Sequence, residues 1–117
     1  MIDILAVLIG GFIGAVARYG ISSYLSRKMT TSFPWGILSV NLLGALVIGF
    51  VFPENGEVTK TAELLLITGV LGGFTTFSTF GIESIELLKK GSYLHLAIYM
   101  IVTVVGGMLL FSAGYLL

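Results

Sequence analysis

Nine consecutive residues, Gly72-Gly73-Phe74-Thr75-Thr76-Phe77-Ser78-Thr79-Phe80, place two glycines, four hydroxyls and three aromatic rings inside an uncharged run from Leu64 to Ile82. Gly weakens a helix by about 1 kcal/mol per residue, and Ser and Thr offer the backbone other partners. The Gly72-Gly73 pair therefore predicts a helix break. If the stretch after it is helical, Phe74, Phe77 and Phe80 recur every three residues along one drifting face, with Thr76 and Thr79 beside it. Ring edges are electropositive and hydroxyl protons can replace water around an ion, so such a surface suits an anion. Asn41 could add an amide donor, and Tyr99 and Thr103, one turn apart, two more hydroxyls. Arg18 could concentrate anions at the mouth of a path. Each has a plainer reading: helix–helix glue for Asn41, interfacial anchoring for Tyr99, snorkelling for Arg18 and ordinary packing for the Phe residues.

These side chains must be held by apolar elements. Of 117 residues, 56% are hydrophobic and 10% charged, against roughly 25% charged in a soluble domain. Six basic and six acidic residues balance, leaving no basic face for nucleic acid. Without Cys, and with one His, there is no disulfide scaffold, thiol nucleophile or His-led metal cluster. Nothing points to an enzyme. Uncharged runs at 4–17, 29–52, 64–82 and 91–117 predict an all-α membrane protein whose four spans lie at about 3–25, 35–52, 63–88 and 93–117. The first run reaches full length only by drawing Arg18 into the membrane or its boundary, and it reads as a retained span.

Ser32-Phe33-Pro34-Trp35 reads as the start of span 2. Pro53 ends that span, before a short polar loop, Glu54-Asn55-Gly56-Glu57. Gly91, after Lys89-Lys90, is a helix stop. Gly10/Gly14 and Gly69/Gly73 have the spacing of close helix contacts. Glu83, Glu86 and His95 read as interfacial groups. Arg27, Lys28, Lys89 and Lys90 flank one face and Lys60 the other, which places the loops after spans 1 and 3 in the cytoplasm and the termini outside.

Taken together, Gly72–Phe80, Asn41, the Gly-rich first span ending in Arg18-Tyr19 and the four-span length closely resemble the Fluc/CrcB family of fluoride channels. The Gly-Gly-x-Thr-Thr-Phe-Ser-Thr-Phe pattern is matched at every fixed position, with Phe74 at the variable one. The resemblance covers essentially the whole chain. It implies a passive, fluoride-selective channel that lets cytoplasmic fluoride leave the cell, a multi-pass protein of the inner or plasma membrane, and a dual-topology dimer of two antiparallel subunits. It further implies that Phe77 and Phe80 line the fluoride path with Asn41, that Thr79, Tyr99 and Thr103 form a polar track, and that Arg18 stands in the vestibule. Main-chain carbonyls of Gly72 and Thr75 from both subunits would hold a structural sodium ion on the twofold axis.

The basic bias between the two faces sets a homodimer against a pair of related chains with fixed opposite orientations; the homodimer is the first expectation. Two other classes compete with this reading. A small proton-coupled multidrug exporter resembles a design built on a carboxylate within the first span, and 4–17 has none. An accessory membrane subunit leaves the hydroxyls of span 3 without a purpose.

Overall fold

The computed structural model describes residues 1–29, 33–52 and 59–117. Ser32, Pro53 and the expected loop Glu54–Glu57 lie outside the described residues. Everything else regular is helical: α1 (Ile2–Lys28), α2 (Trp35–Val51), α3 (Lys60–Glu63) running through a π-helical segment (Leu64–Leu71) into α4 (Gly72–Phe74), α5 (Ser78–Lys89), α6 (Tyr93–Ile101), a second π-helical segment (Val102–Gly106) and α7 (Gly107–Leu116). Among the described residues, three helical stretches, Ile2–Lys28, Lys60–Lys89 and Tyr93–Leu116, are long and apolar enough to cross a bilayer. The 17-residue α2 stands at the lower limit of about 17–25 residues for a span. The molecule is 47 Å along its longest axis, close to the roughly 40–45 Å of a bilayer with its headgroups.

Its surface is that of a protein dissolved in lipid. Leu8, Phe12, Val16, Ile101, Leu109 and Leu116 are all exposed, a distribution that water would penalise and hydrocarbon does not. What holds the helices together is close approach at glycine. A methyl at Gly10 would strike Leu65 O and Gly69 Cα, and one at Gly14 would strike Val70 O and Phe74 N. Contacts therefore advance together along α1 and the first half of span 3, so the two run parallel. A second parallel pair joins α2 to span 4, where Gly106 faces Leu42, Gly49 faces the Phe111 backbone, and Gly114 faces Leu46 and Phe50. Parallel first-with-third and second-with-fourth packing is what alternate crossing of a membrane requires. The close-contact reading of Gly10/Gly14 and Gly69/Gly73 holds, within one chain.

Span 3 is broken, but three residues later than the glycines suggest. Gly72 and Gly73 are helical, and Gly72 has φ −63° and ψ −39°. Their pairing is not what breaks the helix: at Gly73 an added methyl would lie 2.5 Å from Gly11 O, so that glycine serves helix contact. The chain leaves the helix at Thr75, with φ −84° and ψ 156°, and re-enters at Ser78. Phe74 is thereby separated from Phe77 and Phe80. It is buried, and its ring approaches α2 at Gly44, so the aromatic stripe shrinks from three rings to two.

After α5 the chain turns sharply. Ser92 N–H donates to Leu87 O at 3.0 Å and Gly91 N–H to Leu88 O at 3.1 Å, with Gly91 at φ 74°. This is a Schellman cap, which needs a left-handed residue where Gly stands.

Candidate functional site

The site forms where α2 meets the gap between α4 and α5. Gly44 leaves room against the Thr75 methyl, and Asn41, almost one turn earlier on the same face, reaches the next peptide. Asn41 Nδ2 donates to Thr76 O at 2.9 Å, and Thr76 N–H donates to Asn41 Oδ1 at 2.8 Å. The Thr76 amide, which in a regular helix would serve Gly72 O, is thus taken elsewhere.

Thr76 Oγ1 accepts from Thr79 N–H at 3.2 Å, capping the first turn of α5 as Ser and Thr commonly do. That diverts the regular helical donor of the Thr75 carbonyl as well. Thr76 Oγ1 also lies 3.3 Å from both Thr79 Oγ1 and Ser78 Oγ. With the Thr76 hydroxyl donating to Thr79 Oγ1, the Thr79 proton remains for another acceptor.

Aromatic rings continue from this turn. Phe77 and Phe80 have centroids 5.8 Å apart, Phe80 and Tyr99 5.0 Å, and Tyr99 and Phe33 5.9 Å. Phe33 meets His95 edge-on at 5.7 Å. Phe77 is 83% exposed, whereas Phe80 is buried and Tyr99 is wholly so. The Tyr99 hydroxyl donates to Glu83 Oε1 at 2.8 Å. Thr103, four residues further along, buries its hydroxyl oxygen without a partner among the described residues. Beside Glu83 a cavity of about 170 Å³ opens, lined by Ser26, Phe33, Trp35, Glu86 and Lys90 among others.

A run of hydroxyls, an amide and ring edges beside a membrane-embedded helix break has donors and no fixed cation, a composition suited to passing a small anion. The family description "CrcB-like protein, Camphor Resistance (CrcB)" matches residues 5–115. The chain belongs to the CrcB family. It is 43% identical over 117 residues to "Fluoride-specific ion channel FluC" of Chloroflexus aurantiacus, covering 97% of this chain and 93% of that protein. It is 42% identical over 95 residues to the protein of the same name in Parabacteroides distasonis, covering 80% and 74%. Against "Fluoride-specific ion channel FluC 2" of Bacillus cereus the identity is 39% over 114 residues, covering 97% and 95%.

In this CrcB chain the expected residues fall into two groups that share the first turn of α5. Asn41 and Thr79 meet through Thr76, while Phe77, Phe80 and Tyr99 meet through their rings. Thr103 follows Tyr99 on span 4. Arg18 is half-buried on α1, one turn, or about 6 Å, past the point where Gly14 abuts the Phe74 amide. Tyr99 is a buried residue, not an interfacial anchor, and Glu83 is its acceptor instead of a fully solvated carboxylate.

Glu83 is the residue that sequence reasoning missed. Its signal was the spacing: three residues beyond Phe80, it shares that ring's helix face. The two π-helical segments were missed as well. Such widenings are rare and cluster at functional sites, but no residue type marks them.

Proposed function

We propose that this CrcB chain is a passive, fluoride-selective channel of the inner or plasma membrane, which lowers cytoplasmic fluoride by letting the ion run down its electrochemical gradient. The observation that carries this reading is the break at Thr75–Phe77, where hydroxyls, an amide and two Phe rings gather in a span with no charged side chain from 64 to 82. Dehydrating fluoride is costly, so the path must offer replacement donors at every step. Thr79 offers its free hydroxyl proton, Asn41 the second hydrogen of Nδ2, and Phe77 and Phe80 their ring edges. Tyr99 and Thr103 extend the line along span 4. Arg18 raises the local anion concentration at the vestibule. Chloride is larger and bonds more weakly to such donors, and a path fitted to fluoride excludes it.

Phe77 is a large ring left outside the core of a single chain, which supports pairing with a second copy. In this reading two subunits lie antiparallel, as a homodimer of dual topology. The Gly72 and Thr75 carbonyls fit a role as cation ligands, because the amides that would serve them in a helix, Thr76 and Thr79, donate to Asn41 Oδ1 and Thr76 Oγ1. Oxygen ligands suit a hard cation. A structural sodium ion held there by both subunits would neutralise carbonyl charge at the dimer centre. The test is efflux from liposomes containing the purified protein, with fluoride and chloride compared and sodium present or absent during preparation. Fluoride efflux without comparable chloride efflux is expected; equal rates refute selectivity.

A further inference from the structure

Asn41 does more at the break than offer a proton to an ion. Of its four hydrogen-bonding positions, one donor and one acceptor are committed to the two polar groups of a single residue, Thr76, at 2.9 and 2.8 Å. In their usual ionisation states, only a carboxamide side chain presents a donor and an acceptor side by side as a backbone does. A carboxylate lacks the donor, and a hydroxyl offers both functions from one atom. Thr76 is also the one residue of the gap without helical, bend or turn backbone geometry, so its polar groups have no helix to satisfy them at membrane depth. An unserved peptide in hydrocarbon is expensive.

We infer that Asn41 is a backbone clamp, a positioning residue that pairs with the N–H and C=O of Thr76, keeps them from rejoining the helix and thereby sets the register of the α5 hydroxyls. The clamp acts at three places in sequence. It withdraws Thr76 N–H from Gly72, it leaves Thr76 Oγ1 placed to cap Thr79 N–H, and through that cap it fixes Thr79 Oγ1 at 3.3 Å. Gly44 supports it by letting α2 approach Thr75, and Val40, next to Asn41, is wholly buried. Without the clamp, the Thr76 amide is free to close onto Gly72 O and continue α4 towards α5, rotating Phe77 and Thr79 away from their present positions.

The experiment separates the clamp from a role in ion contact alone. Threonine at position 76 is replaced by its α-hydroxy acid, an ester that deletes the Thr76 N–H, weakens the Thr75 carbonyl as an acceptor and leaves Asn41 and every side chain intact. This is compared with Asn41→Ala and with both changes together, in fluoride efflux from liposomes. The clamp predicts that each single change slows efflux by about tenfold and that the double change is scarcely slower than the worse single one, since coupled groups are strongly non-additive. A silent ester, or losses that multiply in the double change, overturns the clamp. Asn41→Asp, which keeps an acceptor for Thr76 N–H, should be milder than Asn41→Ala and guards against a variant that fails to fold.

The inference rests on the channel reading only for its flux arm. Hydrogen exchange of the Asn41 side-chain amide, followed by NMR, is independent of that reading: it should accelerate by about tenfold in the ester. Unchanged exchange overturns the clamp. Absence of fluoride flux in the unmodified protein overturns the channel reading instead, and the exchange result then decides the clamp by itself.

Discussion

Thr103→Val sets the fold against the function. The Thr103 hydroxyl oxygen is buried with no partner among the described residues. Such a group costs about 1–3 kcal/mol relative to one that is hydrogen-bonded or exposed to water. Valine has nearly the same shape and removes the polar atom, so the variant should be more stable by about 1 kcal/mol, the lower end of that range. For a chain of this size that is a rise in thermal midpoint of roughly 4 °C, measurable by fluorescence melting of the detergent-solubilised protein. The gain is offset in transport. A hydroxyl left unpaired in the resting protein is available to a passing anion, and losing one donor worth about 1.4 kcal/mol in the rate-limiting step slows fluoride efflux tenfold. The variant should therefore melt higher and conduct more slowly. A lower midpoint would show that the hydroxyl has a structural partner. A higher midpoint with unchanged flux would remove Thr103 from the path.

Three further expectations concern the rings and the helix contacts. Phe77→Ile should leave packing within the chain almost unchanged because that ring is 83% exposed there, whereas Phe80→Ile, at a buried ring 5.0 Å from Tyr99, should cost about 1–3 kcal/mol; both should slow fluoride efflux, and normal flux in both returns the rings to packing. Gly14→Ala should destabilise by about 1–3 kcal/mol, since its methyl meets the Val70 and Phe74 backbone. Gly20→Ala, where the methyl meets nothing, should stabilise by up to about 1 kcal/mol; melting temperatures that move in the same direction would refute the contact assignment. Tyr99→Phe keeps the ring but removes the bond to Glu83, and should lower stability by about 1–2 kcal/mol. An unchanged midpoint would show that bond to be dispensable.

The helical spans were legible in the sequence because their signal is length and apolarity, quantities local to each segment. Gly91 was legible for the same reason, since a left-handed cap depends on its own residue. The break was only half legible. Composition placed it in span 3, but the glycine pair that seemed to cause it is helical, and Gly73 serves contact with Gly11. The residue that fixes the break, Asn41, lies 35 positions away from Thr76, and a propensity argument cannot weigh a partner it cannot see. Misplacing the break also put Phe74 on the wrong side of it. Phe77 and Phe80 were legible as ring neighbours because their spacing survives across the first turn of α5. Glu83 was obscured by its position near the end of a span, where carboxylates are ordinarily hydrated, while Tyr99, which donates to it, belongs to a different helix.

Everything above turns on selective conduction by this chain alone. The most direct measurement is ion efflux from liposomes reconstituted with the purified protein, read with fluoride- and chloride-sensitive electrodes after the membrane potential is released by an ionophore. Rapid fluoride release with chloride retained is expected. Release of both ions at similar rates, or of neither, would contradict it.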